Sequence, residues 1–154
     1  MSLISFKDIN QLLGTFRTEN YKLVFTNGCF DLLHTGHLDL LSKAAAFGDK
    51  LLVGLNSDSS VKKLKGESRP IQNEKIRAQK LLNLKYVNHV IIFEDLTPKK
   101  LIHKLSPDVL VKGGDYKKNE IVGAEHVISN GGIVKIIPLT PGFSTTSIIG
   151  KSSI

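Results

Sequence analysis

Short continuous apolar runs alternate along this chain with longer segments in which apolar residues recur every three or four positions. Apolar runs bounded by turn residues favour strands buried on both faces of a parallel sheet, and the three-to-four spacing is typical of amphipathic helices. Strands are therefore predicted at residues 22–26, 50–55, 89–93, 108–112 and 133–137. Strands that alternate with helices predict an open α/β fold with a five-stranded parallel sheet.

The ends of the helical segments give more specific expectations. Helices are predicted at residues 6–16, 36–47, 58–64, 74–84, 97–105 and 119–129, with a last short helix near residue 145. Gly48 predicts a left-handed C-cap for the second helix, while Thr97 and Pro98 predict an N-cap followed by the first helical residue. The chain shows no linker, repeat or low-complexity segment, so a single domain is predicted over residues 1–154, with an N-terminal helix within residues 1–20.

Composition places the chain among ordinary globular proteins. It has 154 residues, of which 41% are hydrophobic and 23% charged, as in an average soluble domain. No apolar run approaches the roughly 18 residues that span a bilayer, and the N-terminus lacks the basic and apolar regions of a secretory signal. One cysteine allows no internal disulfide and, with scattered histidines, no zinc motif. We therefore expect a cytoplasmic protein without membrane contact.

The net charge of +7, from 21 Lys and Arg against 14 Asp and Glu, favours an anionic partner. Nucleic acid and a small phosphorylated substrate are the two candidates. Lysines cluster at residues 62–65, 99–100 and 117–118. Stacking aromatic residues do not interleave with these lysines, so a groove for single-stranded nucleic acid is not expected. The charge is better explained by a phosphorylated small molecule.

Ligands of parallel sheets bind beyond the carboxyl ends of the strands, and polar or glycine-rich sequence follows four of the predicted strands. After the first strand, His34 and His37 bracket Gly36 at the predicted start of a helix. Free backbone N–H groups at a helix start favour an anion by roughly 0.3–1 kcal/mol. A zinc pair would be spaced by four with a glutamate between, and one histidine could instead merely cap the helix. Two histidines around a glycine favour phosphate contact.

A longer motif surrounds these histidines, Gly28-x-Phe30-Asp31-x-x-His34-x-Gly36-His37. It resembles the signature of the cytidylyltransferase-like nucleotidyltransferases. Those enzymes join a nucleoside triphosphate to a phosphorylated acceptor and release pyrophosphate. The resemblance implies a Rossmann-like, three-layer α/β/α fold of the HxGH type, with residues 21–150 as the catalytic core and, by family analogy, a possible homodimer.

Further motifs follow in order. They are Asn56-Ser57-Asp58, Lys65-Gly66-x-x-Arg69-Pro70, Arg77-Ala78, Val111-Lys112-Gly113-Gly114-Asp115-Tyr116 and Ser144-Thr145-Thr146. Together they are similar to the adenylyltransferases of bacterial heptose activation, which make ADP-heptose from ATP and D-glycero-β-D-manno-heptose 1-phosphate. Leu139-Thr140-Pro141 stand where glycerol-3-phosphate cytidylyltransferases carry Arg-Thr. Two alternatives stay open. One is a cytidylyltransferase for glycerol 3-phosphate or another small phosphorylated alcohol, and the other is a non-catalytic nucleotide- or nucleic-acid-binding module.

The resemblance also implies residue roles. A sugar phosphate, with a second pKa of about 6, is already a nucleophile, so charge stabilisers are needed rather than a base. The catalytic set is His34, His37 and Lys65. The nucleotide-binding set is Thr26, Asn27, Gly28, Cys29, Phe30, Lys112, Gly113, Asp115, Ser144, Thr145 and Thr146. The sugar-phosphate-binding set is Asp31, Asn56, Asp58 and Arg69.

Some assignments have competing interpretations. Mg²⁺ is expected to be held mainly by the triphosphate, as is common for this ion, with Asp31 as the possible protein ligand. Asp58 could cap a helix, and the hydroxyls of residues 144–146 could do the same. Arg77 is equally compatible with a structural and a functional role. Cys29 could act as a nucleophile, but an acceptor phosphate makes one unnecessary.

Overall fold

A computed structural model describes residues 2–114 and 116–138. The strands are β1 (Ser2–Ile4), β2 (Leu23–Gly28), β3 (Lys50–Asn56), β4 (His89–Phe93), β5 (Val109–Gly113) and β6 (Ile133–Ile137). They form one parallel sheet in the order β1-β4-β3-β2-β5-β6. The five predicted strands are confirmed, but the predicted number is wrong because β1 adds an edge strand. Its three residues are too few to show a strand pattern, and among the strands of residues 2–114 and 116–138 they pair with β4 alone.

The helices are α1 (Ile9–Glu19), α2 (Thr35–Ala45), α3 (Asp58–Lys65), α4 (Glu74–Leu82), α5 (Lys99–Leu105) and α6 (Ala124–Ser129). Short 3-10 turns lie at Phe6–Asp8 and Lys118–Glu120. The long helix predicted over 119–129 is therefore wrong in its first half. Gly123 has a φ of +84°, and this left-handed residue separates the 3-10 turn from α6.

Three expectations about helix ends are also corrected. Gly48 is not left-handed. A Cβ there would lie 2.7 Å from Val24 Cγ2, so this glycine is needed because the backbone passes close to the Val24 side chain. Thr97 is not an N-cap, because α5 begins at Lys99 with Pro98 before it. The N-cap of α3 is Ser57 and not Asp58, because Ser57 Oγ accepts from the Ser60 backbone N–H at 3.1 Å.

Helices cover both faces of the sheet, which confirms the three-layer α/β/α fold. Neighbouring residues of β2 serve opposite faces: Phe25 packs with α1, α5 and α6, and Val24 packs with α2 and α4. Both residues are fully buried, as predicted for a strand covered on two sides. Within the described part of the chain, no helix combines the length and apolar character needed to cross a bilayer.

Candidate active site

A cavity of about 890 Å³ opens at the carboxyl edge of the sheet, beyond the ends of β2, β3 and β5. This is where ligands of parallel sheets bind. Most of the nucleotide-binding residues predicted within the described chain contribute to its wall, with residues from α3 and the end of β3. The predicted site residues that line the cavity are Asn27, Gly28, Cys29, Phe30, Asn56, Lys65, Lys112 and Gly113.

His34 and His37 begin helix α2 and cap it reciprocally. The backbone N–H of His37 donates to Nδ1 of His34 at 3.3 Å, and the backbone N–H of His34 donates to Nδ1 of His37 at 3.4 Å. The two rings stack with their centroids 3.7 Å apart. Each Nε2 atom is buried and has no hydrogen-bond partner within residues 2–114 and 116–138. Helix capping and ligand contact are thus compatible, because Nδ1 caps the helix while Nε2 is left for a ligand.

Burial and capping set the protonation of the pair. Burial lowers the pKa of His37 to about 3, with smaller contributions from His34 and Lys65, although the Leu32 carbonyl opposes the shift. Burial also lowers the pKa of His34. Both rings are therefore neutral at pH 7. Since Nδ1 of His34 accepts a backbone hydrogen bond, its neutral ring carries the proton on Nε2 and can donate it to an anion.

Phe30 adjoins both the cavity and the histidine pair. It lines the cavity, which neither histidine does, and its ring meets that of His37 edge-on at 5.2 Å. Its φ is +45°, a left-handed value that is uncommon for a residue with a side chain. A Cβ added at Gly28 would lie 2.9 Å from Phe30 Cε2. The ring of Phe30 therefore leaves no room for a side chain at position 28, although Gly28 also lines the cavity.

Two lysines carry positive charge to the cavity wall. Burial lowers the pKa of Lys65 at the end of α3, and it lowers the pKa of Lys112 at the end of β5. The Nζ atom of Lys112 lies 5.5 Å from the ring centroid of Tyr116, which also lines the cavity. Sequence reasoning assigned Tyr116 no role, although it ends the motif that contains Lys112. A bound polyanion would favour the charged form of both lysines.

Asp31 fixes the loop before α4. It is 1% exposed, and Arg69 Nε donates to its carboxylate at 2.9 Å, as does the backbone N–H of Ile71. The backbone N–H of Gln72 donates at 3.0 Å. Burial alone would raise the pKa of Asp31, but these backbone donors and the guanidinium together lower it. Both oxygens of Asp31 accept from protein donors, and contact of Asp31 or Arg69 with a sugar phosphate stays a prediction.

The metal expectation is changed by the same contacts. Among residues 2–114 and 116–138, no three side chains of His, Cys, Asp or Glu converge on a point where a metal ion could be held. Asp31 is the carboxylate that the sequence suggested, and its oxygens face Arg69 and backbone N–H groups. The described side chains therefore do not fit a protein-held Mg²⁺.

Asn56 and Asp58, also expected at the sugar phosphate, are tied into the surrounding structure. Asn56 lines the cavity, and its Nδ2 donates to Ser60 Oγ at 2.9 Å. Asp58 does not line the cavity, because its Oδ1 accepts from Arg77 Nη2 at 2.8 Å. Contact of either residue with a sugar stays a prediction.

Thr26 is the one described member of the nucleotide-binding set that lies away from the cavity. It is 1% exposed, and its Oγ1 has no hydrogen-bond partner within the described ranges. The remaining predicted members, Asp115, Ser144, Thr145 and Thr146, lie outside the described residues, as do Leu139-Thr140-Pro141 and the helix predicted near residue 145.

Replacing Thr26 with Val is expected to leave the free energy of unfolding unchanged or to raise it by about 1 kcal/mol, because it removes a buried hydroxyl without a partner. Urea denaturation measures the change. Nucleotide affinity should equal that of the wild type. A marked loss of affinity in the folded variant would show that the hydroxyl binds nucleotide after all.

Comparison with known proteins gives a family and several relatives. A family model described as Cytidylyltransferase-like matches residues 25–151. The curated protein "Bifunctional protein HldE" of Rhodopseudomonas palustris is 51% identical over 145 residues, which are 94% of this chain and 30% of that relative. The protein of the same name from Koribacter versatilis is 50% identical over 149 residues, 97% of this chain and 31% of that relative. The chain thus spans about 30% of the length of these relatives.

Among solved structures, the fold is similar to a protein titled as the lipopolysaccharide core biosynthesis protein from Thermoplasma volcanium. The TM-score is 0.64 at 27% sequence identity, and the match covers 78% of this chain and 97% of that one. This likeness supports the α/β architecture described above.

Proposed function

Because the chain belongs to the cytidylyltransferase-like family, we propose that it transfers AMP from ATP to D-glycero-β-D-manno-heptose 1-phosphate, giving ADP-heptose and pyrophosphate. The observation that carries the proposal is the pair of buried, unpartnered Nε2 atoms of His34 and His37 at the start of α2. Buried polar atoms without partners are rare in folded proteins. At a helix start near the cavity lysine Lys65, these nitrogen atoms are suited to donate to phosphate oxygens.

The acceptor is proposed on other grounds. The motifs from Asn56 to Thr146 resemble the heptose branch, and the chain is similar to HldE proteins and to a protein titled for lipopolysaccharide core biosynthesis. A cavity of about 890 Å³ is within the range of small-molecule sites.

The chemistry follows from the charges of the two substrates. An oxygen of the acceptor phosphate attacks the α-phosphorus of ATP, and the bond from that phosphorus to the bridging oxygen of pyrophosphate breaks. The electron pair of that bond leaves with pyrophosphate. Because the acceptor phosphate is largely a dianion at neutral pH, no proton has to be removed from the nucleophile. His34, His37 and Lys65 stabilise the charge on the phosphates, and alignment supplies most of the remaining acceleration. Mg²⁺ enters with ATP, bound to triphosphate oxygens, and we assign it no protein ligand.

A nucleotide-by-acceptor activity matrix tests this function. Pyrophosphate release is measured with ATP or CTP, each against heptose 1-phosphate and glycerol 3-phosphate. We expect the highest kcat/KM for ATP with heptose 1-phosphate. Preferred turnover of CTP with glycerol 3-phosphate would favour the cytidylyltransferase instead. No turnover together with salt-dependent binding of DNA or RNA would favour a binding module.

Cys29 provides a second test. Burial raises the pKa of its thiol, so the reactive thiolate is scarce at neutral pH. Because the acceptor supplies the nucleophile, we expect Cys29→Ser to keep wild-type kcat in the steady-state assay. Pronounced inactivation of a variant with an intact circular dichroism spectrum would contradict this and indicate covalent catalysis.

The proposal extends to the protein's setting. We place the reaction in the cytoplasm and expect a homodimer, by analogy with small nucleotidyltransferases. Sedimentation equilibrium measures the oligomeric state, and a monomer at all concentrations would overturn the expected homodimer.

A further inference from the structure

Arg77 in α4 is a buried charge that joins three segments around the cavity. Its side chain is 0% exposed. Nη1 donates to the backbone carbonyls of Cys29 at 2.7 Å and Asn56 at 2.8 Å. Nη2 donates to Asp58 Oδ1 at 2.8 Å, and Nε donates to the backbone carbonyl of Gln72 at 2.9 Å. A buried guanidinium is costly unless its donors are satisfied. These four contacts compensate it and tie the turn after β2 to the end of β3 and to the loop before α4.

The contact with Cys29 determines how one peptide group is oriented. In a planar trans peptide the C=O and the N–H point in opposite directions. Arg77 Nη1 holds the Cys29 carbonyl, so the N–H of Phe30 points away from Arg77, and both Cys29 and Phe30 line the cavity. Among the described residues no acceptor is seen for this N–H. The left-handed φ of Phe30 is unfavourable by itself, so the orientation needs an external contact to hold it.

We propose that Arg77 is a positioning residue that holds the Cys29–Phe30 peptide so that the Phe30 N–H can donate to a phosphate of the nucleotide. It acts without touching the substrate, since its own donors face protein oxygens. The proposal rests on the proposed function in taking a nucleoside triphosphate as the ligand. It does not depend on which sugar phosphate is the acceptor.

The variant Arg77→Lys tests the proposal, because it keeps the charge but provides one nitrogen for four acceptors. ATP affinity is measured by isothermal titration calorimetry, and kcat and KM by pyrophosphate release. We expect the Kd for ATP to rise and kcat to fall by about tenfold or more, because Arg77→Lys loosens one preorganised donor whose complete removal costs about 10²–10³-fold in kcat. The KM for the acceptor should stay near the wild-type value.

Asn73→Ala is the matched control. Asn73 caps the same helix, and its Oδ1 accepts from the Ile76 backbone N–H at 2.9 Å. The variant loses stability in α4 but leaves every partner of Arg77 in place. We expect Asn73→Ala to keep wild-type ATP affinity. Wild-type ATP affinity in Arg77→Lys, or an equal loss of affinity in both variants at equal loss of Tm, would overturn the proposal.

A measurement on the wild-type protein covers the case in which Arg77→Lys does not fold. Titration with ATP is followed through the amide resonance of Phe30 by NMR. A large downfield shift of the Phe30 proton is expected as it donates to phosphate, and an unchanged resonance at saturating ATP would overturn the proposal. If ATP shifts this resonance but heptose 1-phosphate gives no turnover, the proposed acceptor is wrong while donation by the Phe30 N–H is supported.

Discussion

Replacing His37 with Ala is expected to lower kcat by about 10²–10³-fold, the usual cost of removing one preorganised donor from charged phosphates in the transition state. His37 is fully buried and neutral at pH 7, with Nε2 lacking a partner within the described residues. Its Nδ1 contacts the backbone N–H of His34 at 3.4 Å. The His37 side chain therefore caps the helix through Nδ1, while Nε2 is the nitrogen that we expect to donate to the ligand.

Two further variants separate these tasks. Asn at position 37 can place an oxygen near the position of Nδ1 but has no donor at the position of Nε2. Gln can place an amide nitrogen near Nε2. We expect His37→Asn to keep the wild-type Tm and lose activity, and His37→Gln to recover part of kcat. A folded His37→Ala protein with wild-type turnover would remove His37 from the catalytic set.

Replacing Asp31 with Ala is expected to lower the free energy of unfolding by about 3–5 kcal/mol, because it breaks a buried ion pair from one side. The Asp31 side chain is 1% exposed and the Arg69 side chain is 5% exposed. The change also removes the acceptor for two backbone N–H groups, those of Ile71 and Gln72. Urea denaturation followed by circular dichroism measures the loss.

Asp39→Ala is the matched surface control. The ion pair of Asp39 with Lys43 has an N–O distance of 3.0 Å, but the lysine side chain is 56% exposed. Exposed pairs of this kind contribute about 0–1 kcal/mol. Asp31→Ala should thus cost several times more than Asp39→Ala. Similar losses in both would contradict the structural role given to Asp31.

The parts of the fold that the sequence predicted are those with local periodicity. Strands β2 to β6 appear as apolar runs because the sheet is covered on both faces, and β4 and β6 match their predicted bounds. β1 leaves no such pattern, since it is short and depends on its partner β4. Gly48 shows why a residue type alone is ambiguous, because glycine serves left-handed caps and close approaches equally.

The candidate site divides in the same way. The histidine motif is compact in sequence, so its place at a strand-to-helix turn could be predicted. The contact between Asp31 and Arg69 joins residues 38 apart, and that between Cys29 and Arg77 joins residues 48 apart. No local pattern encodes such pairs. The sequence therefore indicated which residues gather at the cavity, but not that Asp31 and Arg69 form a buried ion pair with each other.

Direct transfer from ATP to the acceptor is tested best by following pyrophosphate and the mass of the intact protein in one experiment. The protein is incubated with ATP alone and then with ATP and heptose 1-phosphate. We expect no pyrophosphate and an unchanged protein mass with ATP alone, and one pyrophosphate per ADP-heptose once both substrates are present. Pyrophosphate release with ATP alone, together with a mass increase of one AMP on the protein, would contradict direct attack by the sugar phosphate.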